Sequence, residues 1–92
     1  MEQEIEAQLE KVLTEAPQEK SRERFSYFMN ESHYSEMGGS YSLAEKILLH
    51  LLKENPANPA IYLNLALMVS AQGRKEEAEG YRAKARDLLG ME

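Results

Sequence analysis

The side chains able to do chemistry in this 92-residue sequence are two histidines, sixteen carboxylates and five tyrosines, with no cysteine among them. Metal binding or acid–base catalysis would draw on His33 and His50, yet these stand far apart, on segments that read as different helices. Isolated histidines of this kind default to packing or surface roles. Paired-carboxylate catalysis needs two acids in a desolvated cleft, and the glutamates fall on helix faces that read as exposed. No glycine-rich phosphate loop, His-Glu-x-x-His or serine elbow occurs. Lys75, Arg82 and Arg86 share one helix face, but Glu79 interrupts them, so that face reads as solvated convex surface. Tyr27, Tyr34, Tyr41, Tyr62 and Tyr81 follow helical spacing and read as core or rim. The expectation is a protein that is not an enzyme, with no metal and no cofactor.

Charge narrows the partners. The net charge is −5, and residues 1–24 hold seven acids against four bases, whereas residues 59–92 hold five of each. An acidic chain without a basic cluster argues against nucleic acid or an anionic membrane as the main partner. No apolar run approaches the roughly 20 residues that span a bilayer, so no membrane insertion is expected. The opening "MEQEIEAQLEK" is too rich in glutamate for a signal or transit peptide. The absence of cysteine excludes disulfides and thiolate zinc sites, and fits a cytoplasmic protein. Ninety-two residues allow one small domain with a thin core.

The apolar spacing is helical throughout, which makes the expected class all-α with about five helices. Ile5, Leu9, Val12 and Leu13 form one stripe of an N-terminal helix whose other faces carry Glu4, Glu6, Glu10 and Lys11. Pro17 limits it, because the residue before a proline is pushed out of the α region. A second helix is predicted from Gln18 to Met37, with Phe25, Phe28, Met29 and Ser32 inward, closed by Gly38-Gly39. Ser40 or Ser42 should cap the third, and Ser42 with Glu45 fits a reciprocal capping box. Its apolar stripe is Leu43, Ala44, Ile47, Leu48, Leu51 and Leu52. After Asn55-Pro56-Ala57-Asn58, Pro59 suits the first turn of a fourth helix. There Ile61, Tyr62, Leu65, Ala66 and Val69 point inward, with Leu63 and Leu67 on an adjoining face. Gly73 ends it, and a fifth helix from Arg74 to Leu89 turns Ala78, Tyr81, Ala85 and Leu88 inward.

Residues 25–58 laid over 59–92 align at an offset of 34. Gly39 falls on Gly73, Ala44 on Ala78, Asn30 on Asn64, Glu45 on Glu79, and Phe28 on Tyr62. Each unit is helix, glycine, helix, and the small residue five after the glycine lets the pair approach closely. A 34-residue helix–turn–helix with an early aromatic, small residues at the crossing and a terminal proline resembles the tetratricopeptide repeat, an α-solenoid of antiparallel helix pairs. Tyr62, Leu65, Ala66, Gly73, Ala78 and Ala85 carry the pattern in the second unit; Phe28, Ser32, Tyr41, Ala44 and Pro56 carry it in the first. Glu31, Ser35, Arg82 and Gly90 depart from it. The organisation expected is a single domain: an N-terminal amphipathic helix (1–16), repeat one (25–58) and repeat two (59–92).

The resemblance implies a protein–protein interaction module, an adaptor or chaperone-like protein that receives a partner helix or peptide in a concave groove. In that geometry the first helix of each repeat lines the groove, which places Met29, His33 and Met37 from one repeat beside Leu63, Asn64, Leu67 and Ser70 from the other. Some relatives clamp a carboxylate with lysine and asparagine, but Met29 and His33 occupy those positions here, so an apolar ligand is expected instead. Methionines suit irregular apolar ligands. The alternative is a homodimer that buries these strips between its own copies. Stacks normally need about three repeats and polar caps, so the N-terminal helix should cap the stack, fill the groove or pair with a second subunit. Leu88, Leu89 and Met91 suggest an apolar C-terminal end.

Overall fold

Proline and glycine cut the chain where their backbone chemistry requires. A computed structural model describes residues 2–90 and contains α1 (Glu2–Glu15), α2 (Arg22–Met37), α3 (Tyr41–Glu54), α4 (Pro59–Ala71) and α5 (Lys75–Leu89), with no strand among the described residues. The fold is all-α. Met91 lies outside the described residues.

Two local expectations need correction. Helix α2 starts at Arg22 rather than Gln18, because Ser21 takes the N-cap and accepts a hydrogen bond from the backbone N–H of Arg24 at 3.2 Å. The Ser42–Glu45 capping box does not form. Ser40 occupies the N-cap of α3 without a side-chain bond, and the Glu45 carboxylate is drawn instead to α5's first residues. At α4 the expectation holds: Pro59 opens the helix, and Asn58 Oδ1 accepts from the Ala60 N–H at 2.9 Å.

The turns of the two hairpins are alike at an offset of 34. Gly39 and Gly73 take φ of +81° and +86°, a left-handed conformation open to glycine without steric cost. Ser40 N–H donates to Ser35 C=O at 2.8 Å, and Arg74 N–H to Val69 C=O at 3.0 Å. The helix pairs α2–α3 and α4–α5 are thus closed by the same hydrogen-bonded reversal, with Ala44 and Ala78 both fully buried beyond it.

Helix α3 is the hub. It packs against α2, α4 and α1, while α4 packs most extensively on α5. Phe28, Ile47, Leu48, Leu51, Ile61, Leu65 and Met68 fill the main cluster, and Ala66, Val69 and Ala78 form a smaller one between α4 and α5. Each fully buried large aliphatic side chain contributes about 1.5–3 kcal/mol. Helix α1 lies on the face of α3: Ile5, Leu9, Val12 and Leu13 lie against the main cluster, Glu6 pairs with Lys46 at 3.2 Å, and Tyr27 Oη donates to Val12 C=O at 2.7 Å. At the other end α5 buries only Ala78 and Ala85 and turns most of its charges outward. Leu89 is exposed and Leu88 half-buried.

Candidate functional site

Helix α4 is thirteen residues long and carries no charged residue. One side of it is buried through Ile61, Leu65, Met68 and Val69. Residues two before and two after Leu65 are rotated about 200° from it, so Leu63 and Leu67 point away from the core, 44% and 56% exposed. Ala60 and Ala71 are exposed on the same side, Ser70 is half-buried at its edge, and Asn64 is half-buried. An uncharged outer face is unusual for a helix at a protein surface, where the solvent side normally holds charge.

The seven predicted residues meet different fates. Leu63, Asn64, Leu67 and Ser70 share α4's outer side. On α2, Met37 is 71% exposed and His33 is exposed beside Glu36, its Nδ1 3.8 Å from the carboxylate. Met29 is half-buried and packs against the main cluster, as expected from the inward set of its helix. Both α2 and α4 pack on α3.

Two polar clamps tie α2 and the start of α5 to α3, and neither was anticipated from sequence. Arg24 of α2 grips Glu54 of α3 through paired bonds of 2.9 and 2.8 Å and donates to Pro17 C=O at 2.6 Å, with Phe28's ring 5.0 Å from the guanidinium. Arg74, at the start of α5, grips buried Glu45 of α3 with two bonds of 2.8 Å and reaches Glu77 at 3.0 and 2.7 Å. Gln72 adds a bond to Glu45 at 2.9 Å. The hydrogen bonds from Arg74, joined by one from Gln72, hold the Glu45 carboxyl below the usual carboxylate range despite its burial. Arg24 does the same for Glu54. The available signal was an acid placed inside the apolar stripe of α3, where a buried charge requires a partner.

The remaining polar chemistry is local. His50 lies 3.5 Å from Glu54 and stacks at a tilt on Phe28, 5.4 Å between centroids. On α5, Arg82 and Arg86 both contact Glu79 at 3.1 Å, which accounts for the basic face noted in the sequence. Among the described residues no three His, Asp or Glu side chains gather to hold a metal ion, and no helix is long and apolar enough to cross a membrane. What the outer side of α4 offers is apolar contact without a counter-charge. Comparison with known proteins finds no matching family model, no similar curated protein and no similar solved structure.

Proposed function

We propose that this chain is a two-repeat, tetratricopeptide-like module that holds a helix or peptide of a partner protein against the outer side of α4 and performs no catalysis. The single observation that carries the reading is a helix with no charge and two leucines about half exposed. Leaving such a strip in water costs free energy that docking recovers. The matched turns at an offset of 34 support the repeat assignment, and the charged outer faces of α1 and α5 act as polar caps at the two ends. Apolar surface remains on the side of α4, at the end of α2 in Tyr34 and Met37, and at Leu89 in the last turn of α5. The cysteine-free, acidic composition suits work in the cytoplasm.

The test compares wild-type protein with Leu63→Glu/Leu67→Glu in affinity capture from the source cell, followed by calorimetry with the purified captured protein. The reading expects one or a few proteins to be retained by wild type and lost by the variant. Identical captured sets would sink it. Light scattering over a range of concentrations addresses the self-association alternative: a dimer broken by the same substitutions would assign the strip to a second copy.

A further inference from the structure

On the reading of α4's outer side as a docking face, we infer that its occupant is a partner protein's amphipathic α-helix, seated through an uncharged stripe, and not an extended peptide. The first observation is spacing. The exposed residues Ala60, Leu63, Leu67 and Ala71 recur at intervals of three, four and four, the pattern that lies straight along a helix and meets another helix side by side. Leucines at the centre with alanines at both ends leave room for a close approach along about 17 Å of helix.

The second observation concerns hydrogen bonding. An extended peptide leaves its own N–H and C=O groups to be satisfied by its receptor, and each one buried without a partner is costly. The outer side of α4 has few groups to give: the Ser70 hydroxyl at its edge and the rest of the Asn64 amide, whose Nδ2 already donates to Ala60 C=O at 2.8 Å, while Tyr62 Oη donates to Pro56 C=O at 3.0 Å. The first turn's N–H of Ala60 is taken by Asn58, and the rest of the backbone is engaged in the helix. A helical ligand arrives with its backbone already satisfied and asks for apolar contact alone.

The third is electrostatic. A charge on the ligand's contact stripe would be desolvated against α4 with no counter-ion there. The occupant's stripe is therefore uncharged, with its charges confined to its outer faces. A second copy is a poorer occupant. Each copy brings a net charge of −5, so two copies meeting through this side repel one another.

The test uses a phage-displayed library of random 18-residue peptides, selected on wild-type protein and counter-selected on Leu63→Glu/Leu67→Glu. Circular dichroism and urea unfolding first establish that the variant is folded; if it is not, the milder Leu67→Gln takes its place. The result expected is enrichment of proline-free peptides with apolar residues at i, i+3 or i+4, and i+7. Synthesised singly, they should gain helical circular dichroism on binding and bind the variant at least about tenfold more weakly. Enriched peptides that contain proline or stay non-helical when bound would overturn the helix while leaving the docking face standing. An absence of any Leu63/Leu67-dependent peptide would overturn both. Concentration-dependent self-association lost on Leu67→Glu would hand the face to a second copy and overturn the inference.

Discussion

Helices α4 and α5 pack along one another more extensively than any other pair, yet they are opposites in composition. Helix α4 has no charged residue, while eight of the fifteen residues of α5 are charged. Helix α5 is an ordinary amphipathic cover: it buries Ala78 and Ala85, and on its outer side Glu79 satisfies both Arg82 and Arg86. Helix α4 has an inner side like any core helix, and its outer side is composed as though something covered it. A helix apolar all round belongs in an interior. The difference teaches that two helices packed in one hairpin can divide their roles, one carrying the charges that face water and the other carrying none.

The comparison is most sharply broken within α4 itself. Leu65→Ala empties a fully buried site and should cost about 2–5 kcal/mol in urea unfolding, whereas Leu67→Glu, two residues on, should stay within about 0.5 kcal/mol of wild type. Similar losses from both would mean that the outer side is structural. The next effect belongs to α5. Ala78 is fully buried where the hairpin's helices approach, and Ala78→Leu should destabilise by about 1–3 kcal/mol through overpacking. Ala83→Leu, on the half-buried flank, should be milder, and the same unfolding curves measure both.

The smallest effect tests the clamp between the hairpins. Glu45→Gln removes the carboxylate that Arg74 grips and should cost about 1–2 kcal/mol at neutral pH, kept modest because Arg74 is partly solvated. Glu45 and Glu54 are both held below their ordinary values. Their contribution is therefore fully present above the unfolded carboxylate range near pH 4.5 and is lost as pH falls through the lower folded values. Wild type should lose stability on acidification below about pH 4.5. Glu45→Gln should lose less over the same interval, as read by unfolding at pH 7 and pH 3.5.

Legibility in the sequence followed the range of the interaction involved. Helix ends at Pro17, Gly38-Gly39, Pro59 and Gly73 were readable because the responsible residue acts on its own backbone. The inward set of α4 was readable because a 3.6-residue period needs only neighbours. Met68 was passed over, although it is buried in the main cluster, since it borders both faces of that period. Met29 was read both as inward and, from the repeat register, as lining the groove, and it is half-buried against the main cluster. Glu45 was given to a local cap three residues away. Its partner lies 29 residues along the chain.

By itself the sequence determined the five helices, their breaks and the uncharged strip of α4, since each follows from residue chemistry acting over one or two turns. Tertiary structure alone decided that α1 lies on α3, that Arg24 meets Glu54 and Arg74 meets Glu45, and that Leu63 and Leu67 remain uncovered while Met29 does not. These outcomes depend on how far each helix is rotated and where it crosses its neighbours. Rotation and crossing are settled by the sum of many small packing contacts between residues distant in the chain, and no local pattern carries that sum.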